Sequence, residues 1–256
     1  VVVAFMSHSH EAAGQPDNSH SNLPAHPSAS PSSNGLPPAD LAAPQAVPFD
    51  SDVAPAPTDP GFVEGLNSLS AEVRDDVFDN QLSFSDMGFR GRVLKGLELC
   101  GFTMATRPQA AFIPPILAGK DILGQAKTGT GKTAAFGLPL LHLLERDVPF
   151  RALILVPTRE LCIQVAREIN DLGQATPIRA CAVYGGQRIT EQVEKLKRNP
   201  QIIVSTPGRL MDMVERGYVP LTNIKFAILD EVDRMLDIGF RDDIRKILGK
   251  CPPPGE

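Results

Sequence analysis

No lysine or arginine occurs before Arg74. Residues 1–73 hold eight acidic side chains, a local charge of −8, while the remainder carries all 25 Lys and Arg against 22 acids, a charge of +3. The low pI of about 5.6 therefore belongs to the first stretch, and the rest is mildly basic, which permits contact with polyanions. That first stretch also lacks any hydrophobic period: Gln15–His20 and Ser28–Gly35 are small and polar residues and proline with no repeating apolar face. Such a segment buries too little apolar surface to offset its ordering entropy, so residues 1–80 are expected to form a disordered acidic, Pro/Ser-rich tail. No apolar run reaches bilayer-spanning length, so no membrane partner is expected. Val1–Met6 is too short for a signal-peptide core and has no basic flank, which argues against secretion and for a cytoplasmic location. Cys100, Cys162, Cys181 and Cys251 are far apart and make no metal-type pair, so they are read as free thiols. His8, His10, His20 and His26 fall in the tail, where no folded frame would fix a ligand geometry.

Past residue 80, short apolar runs alternate with amphipathic segments. Strands are expected at Asp121–Gln125, Ala152–Val156, Arg179–Tyr184, Gln201–Ser205 and Lys225–Leu229. Helices are expected near Phe89–Cys100, Pro108–Leu117, Gly131–Glu145, Arg159–Leu172, Thr190–Lys197, Gly208–Glu215 and Val232–Leu248. Runs such as Ala152–Val156 are apolar throughout, the pattern of strands covered on both faces. The alternation predicts an α/β domain over 81–256, a parallel sheet flanked by helices, with ligands at the carboxyl ends of its strands.

The polar motifs sit at those ends. Ala126-Lys127-Thr128-Gly129-Thr130-Gly131-Lys132-Thr133 lies between a strand and a helix and fits a phosphate-binding P-loop, with Ala126 replacing the usual first glycine. Its glycines let backbone N–H groups close around phosphate, and the following helix adds the positive end of its dipole. Lys132 would reach the outer phosphates, and the Thr133 hydroxyl would ligate Mg2+. Asp230-Glu231-Val232-Asp233 follows another apolar strand. An acid there in a P-loop protein partners Mg2+, and a neighbouring Glu can accept the proton of an attacking water.

With these motifs the chain resembles the DEAD-box RNA helicases over about Phe84–Glu256. Gly101–Gln109 resembles the family's adenine-reading Q motif, Ala126–Thr133 its motif I, Pro157–Leu161 motif Ia, and Gly185-Gly186 the glycine pair. Thr206–Arg209 resembles motif Ib and Asp230–Asp233 motif II. The resemblance implies a RecA-like P-loop NTPase fold and an ATP-dependent RNA helicase using ATP and Mg2+. It implies that Phe84, Thr106 and Gln109 serve the adenine side, with Gln109 on the base edge. It implies that Ala126, Thr128, Gly129, Thr130, Gly131, Lys132 and Thr133 hold the phosphates, and that Thr133 and Asp230 serve the metal. Lys132, Asp230 and Glu231 would be catalytic, and Asp233 would couple the nucleotide site to other motifs. Pro157, Thr158, Arg159, Gly186, Thr206, Gly208 and Arg209 would track the RNA sugar–phosphate backbone.

The chain departs from the family pattern at Ala105 and Pro108 in the Q motif, at Cys162 after motif Ia, and at Val232 in motif II. Neither a Ser-Ala-Thr motif nor a second RecA-like domain follows Asp233. The family resemblance thus predicts a fragment that lacks a central strand between the P-loop strand and the acidic-motif strand, with poor turnover on its own. A complete, non-catalytic ATP- and RNA-binding module is the alternative. A P-loop nucleotide kinase fits less well, given Pro157–Leu161 and Thr206–Arg209.

Overall fold

A computed structural model describes residues 2–6, 83–126 and 129–253. The expected tail beyond residue 6, and Lys127 and Thr128 of the P-loop, lie outside the described residues.

Six strands form one sheet: β1 (Val2–Met6), β2 (Ile122–Gln125), β3 (Ala152–Leu155), β4 (Ala180–Val183), β5 (Ile202–Ser205) and β6 (Phe226–Leu229). Their order is β2-β1-β6-β3-β5-β4, and every pairing is parallel. The eight helices among the described residues are α1 (Gly91–Leu99), α2 (Arg107–Leu117), α3 (Lys132–Leu143), α4 (Arg159–Leu172), α5 (Ile189–Leu196), α6 (Pro207–Glu215), α7 (Val232–Ile238) and α8 (Arg241–Leu248).

Alternating side chains divide the core into two layers, as the two-residue period of a strand requires. Ile154, Ile202 and Ile228 face a cluster closed by Ile113 of α2, Phe136 of α3 and Ile169 of α4. Leu153, Leu155, Ile203 and Leu229 face the opposite cluster, closed by Met213 of α6, Met235 of α7 and Ile247 of α8. Both faces of β3, β5 and β6 are buried, which is why those runs are apolar at almost every position.

Two expectations change. The slot between β2 and β6 is not vacant: Val2–Met6 fills it as β1, pairing Val3 with both Ile122 and Ile228. The sheet is therefore continuous, and these five residues belong to the folded body and not to the tail. Val3 and Phe5 are buried, and Phe5 packs edge-on against Phe112 with ring centroids 5.1 Å apart. The second change is at 232–248, where one long helix was expected. Gly239 has φ +101° and ends α7, so α8 starts anew after Phe240. A left-handed residue of this kind terminates a helix, and glycine adopts it without a Cβ clash.

The thiols are free, and burial pushes Cys162 up to about 12 and Cys181 up to about 11. Cys162 donates from Sγ to Val204 O at 3.1 Å, so the residue that departs from the family pattern is absorbed beneath the sheet.

Candidate active site and nucleic-acid face

The phosphate loop is positioned from behind by the segment before α2. Thr106 caps α2, and the helix begins with Pro at an early position where its missing N–H is no loss. Thr106 N donates to Gln109 Oε1 at 2.9 Å, while Gln109 Nε2 donates to Gly131 O at 3.2 Å and Thr106 Oγ1 donates to Thr130 O at 2.9 Å. Two loop carbonyls are thus held inward, a requirement if the loop N–H groups are to face an anion. Gln109 is fully buried. Its carboxamide here is engaged with the loop backbone. Phe84 is also buried, packed against Phe102 with centroids 6.3 Å apart.

Gly131 is the residue before α3 and sits at φ +80°, ψ 28°. A Cβ there would collide with the Gln109 carboxamide. Gly131→Ala is therefore expected to cost about 1–3 kcal/mol through backbone strain alone, and more through loss of the Gln109 contact. Thermal denaturation checks this, and an unchanged melting temperature would contradict it. Ala126 is buried at the end of β2, Gly129 adopts φ +79°, and Thr130 and Thr133 are half-buried.

Lys132 opens α3 and is 8 % exposed, yet its Nζ has no hydrogen-bond partner. A buried ammonium without acceptors is costly, and an anion placed here would compensate it. Asp230 lies at the end of β6, 4 % exposed. Burial pushes its carboxyl up to about 6, against the opposing pull of the Lys132 ammonium. Its backbone N–H donates to Leu155 O at 3.0 Å, which ties the acidic segment to β3. Glu231 takes a left-handed conformation, φ 51° and ψ 48°, and its N–H donates to Asp230 Oδ1 at 3.0 Å. The Glu231 side chain pairs with Arg234 at 3.3 Å. Asp233, on the first turn of α7, is half-buried. The P-loop and the acidic segment thus leave the sheet from β2 and β6, the two neighbours of β1.

A second group lies past β3, β5 and β4. Thr158 caps α4, its Oγ1 accepting from Leu161 N at 3.2 Å, and Pro157 before it is buried. The Arg159 guanidinium stacks over Tyr184 at 5.1 Å, and Gly186, at φ +85°, lies beside it. Thr206 precedes α6, and Gly208 in its first turn is exposed. Arg209 is mostly buried. It donates to Gln187 O at 3.1 Å and lies 3.9 Å from Asp212, so its charge is shared within the domain.

Two residues of this face belong to none of the sequence motifs. Gln192 is fully buried and brackets Tyr184, accepting from its N–H and donating to its carbonyl, both at 3.0 Å. Tyr184 supplies the platform for Arg159. A glutamine inside an amphipathic helix gives no local signal for this. A tyrosine directly before two glycines was the available hint.

A phosphate loop and an acidic segment at the carboxyl edge of an all-parallel sheet define a RecA-like P-loop domain. The DEAD/DEAH box helicase family model matches residues 106–255. The chain belongs to that family. It is 43 % identical over 184 residues to the DEAD-box ATP-dependent RNA helicase RhpA of Helicobacter pylori strain B128, covering 72 % of this chain and 37 % of that protein. It is 45 % identical over 172 residues to the DEAD-box ATP-dependent RNA helicase CshA of Bacillus subtilis, covering 67 % and 35 %. The crystal structure of a DEAD box protein from the hyperthermophile Methanococcus jannaschii superposes with a TM-score of 0.64 at 40 % identity, covering 66 % of this chain and 47 % of that one. The chain thus spans little more than a third of the length of these curated relatives. Among the described residues no helix is long and apolar enough to cross a membrane.

Proposed function

We propose that this chain provides the ATP-binding part, and half of the RNA track, of an ATP-dependent RNA helicase, acting with a second RecA-like domain. The observation that carries the reading is Lys132 Nζ, buried without a hydrogen-bond partner, together with the buried carboxylate of Asp230, on which the ammonium acts electrostatically. A phosphate anion would satisfy the first, and a divalent cation held with help from Asp230 would satisfy the second. Among the described residues no three His, Cys, Asp or Glu side chains converge on a metal centre. A cation here would therefore take most of its ligands from the nucleotide and from water, with Thr133 and Asp230 as the protein's share.

When bound, Mg2+ would neutralise charge on the transferred phosphoryl group. The chain's own residues then divide the work. Ala126, Thr128, Gly129, Thr130 and Gly131 offer the loop backbone, and Thr106 and Gln109 hold it in shape. Phe84 and Gln109 sit on the base side. Lys132 supplies positive charge to the outer phosphates, and Glu231 orients and deprotonates the attacking water. Asp233 links this centre to the RNA face. There, Pro157, Thr158, Arg159, Gly186, Thr206, Gly208 and Arg209 present small residues, helix starts and guanidinium groups to a sugar–phosphate chain. Contacts of this class position a strand and carry little base information.

The test is binding of a fluorescent ATP analogue and of single-stranded RNA, each titrated with and without the other, together with duplex unwinding. RNA and nucleotide are expected to tighten each other's binding. ATP hydrolysis indifferent to RNA would instead support a nucleotide kinase-like or other P-loop enzyme. Arg159→Glu is expected to weaken RNA binding about tenfold, through loss of one phosphate contact and gain of repulsion, with nucleotide affinity unchanged. Equal RNA affinity in the variant would remove Arg159 from the RNA face.

A further inference from the structure

We propose that the groove between β2 and β6 is a strand-binding site for an extended apolar peptide, occupied by residues 2–6, and that its occupancy sets the nucleotide site. The ligand side is specific. β1 pairs in parallel with both neighbours, Phe5 beside Gly124 and Ala4 beside both Leu123 and Leu229. Val2 N donates to Asp121 Oδ1 at 2.8 Å, which fixes the register at its first residue. Phe5 is fully buried between Phe112, at 5.1 Å, and Phe136, at 5.7 Å. The receiving side is shaped to match: Gly124 has no side chain, and a Cβ there would strike the Phe112 ring. The ring that receives Phe5 can lie over β2 only because of that glycine.

The strand also works as a spacer. Adjacent strands lie about 4.8 Å apart, so β1 holds β2 and β6 about 9.6 Å apart. Ala126 follows directly from β2 and Asp230 directly from β6, so this spacing sets the separation of the phosphate loop from the acidic segment. Without β1 both neighbours would present unpaired N–H and C=O groups to each other. Residues 7–82 separate β1 from the next described residue, so the strand is joined to the body by sequence far from either neighbour.

The coupling to nucleotide rests on the function proposed above, and the strand site itself does not. The test uses the full chain with a protease recognition sequence inserted between residues 40 and 41, cleaved after folding. The amino-terminal piece is expected to co-elute with the body in gel filtration. A labelled peptide of residues 1–8 in excess should exchange into the body, and the same peptide carrying Phe5→Asp should not. In the uncut chain, Phe5→Leu should keep nucleotide affinity, and Phe5→Asp should lower it about tenfold or more. Should Phe5→Asp fail to fold, the exchange measurement on the cleaved wild-type chain still decides. Loss of the amino-terminal piece with cooperative melting and nucleotide affinity unchanged would overturn the proposal, as would equal uptake of both peptides. Specific exchange in a chain that binds no nucleotide at all would uphold the strand site and overturn the nucleotide reading.

Discussion

Lys132→Met is expected to reduce affinity for ATP roughly 10- to 150-fold, the worth of a hydrogen bond to a charged group of about 1.5–3 kcal/mol. Its effect on the free protein should be small. Nζ makes no hydrogen bond there, so methionine removes a buried ammonium and its desolvation while keeping the packing of the side-chain stem. The lost attraction to Asp230 works in the opposite direction. The melting temperature without ligand should therefore stay close to that of the native chain, while the rise produced by Mg–ATP disappears. Ligand-induced stabilisation follows the ratio of ligand concentration to dissociation constant, so thermal denaturation across a nucleotide series reads both quantities. An equal ligand-induced rise in the variant would show that Lys132 does not meet the phosphates.

Asp230→Asn should stabilise the free protein at neutral pH and remove the metal-dependent part of nucleotide affinity. The carboxyl is raised from its ordinary value of 3.8 to about 6, mainly because burial disfavours its charge. A raised acid binds more protons folded than unfolded between those two values. The contribution of this one group to stability is then greatest below about pH 4, is lost as the pH rises through about 6, and stays absent above that. Two pH units correspond to roughly 3 kcal/mol, an upper figure for what the ionised side chain costs the free fold. Asparagine keeps an oxygen for the Glu231 N–H and carries no charge. The variant should melt about 5–10 °C higher at pH 7.5, with the gap closing towards pH 4. In the native chain, Mg2+-dependent nucleotide affinity should weaken as the pH falls below 6, because the proton and the cation compete for one carboxylate. A pH-independent difference in melting temperature would place the Asp230 carboxyl at its ordinary value.

Much of this site was legible because its motifs lie on strand ends, and the strands are apolar enough to be recognised. Ala152–Leu155 and Phe226–Leu229 are buried at every residue, so the first polar residue beyond each run marks the edge of the sheet. One part of what Gln109 does was not legible. Besides the base-edge role that the family resemblance implies, Gln109 accepts from Thr106 N and donates to Gly131 O, contacts that spacing alone does not announce. Gly239 was hidden within an amphipathic pattern that continues on both sides of it, and only its positive φ reveals the break. β1 left the least trace. Five residues at the head of a segment without periodicity carry no local sign of their partners, because these lie at 122–125 and 226–229. The family pattern, moreover, led one to expect a different stretch of chain in that slot.

The register of β1 also dictates an order of events on the ribosome. Ala4 is made long before its partner Leu229, with nearly the whole folded body between them. At about 5–20 residues per second, the first strand must wait on the order of ten seconds or more before its second neighbour exists. Throughout that interval Val3 and Phe5 have no complete site to enter. Synthesis thus releases early a piece that can be seated only once β6 has emerged, and any chaperone that shields the waiting segment must also release it on that schedule.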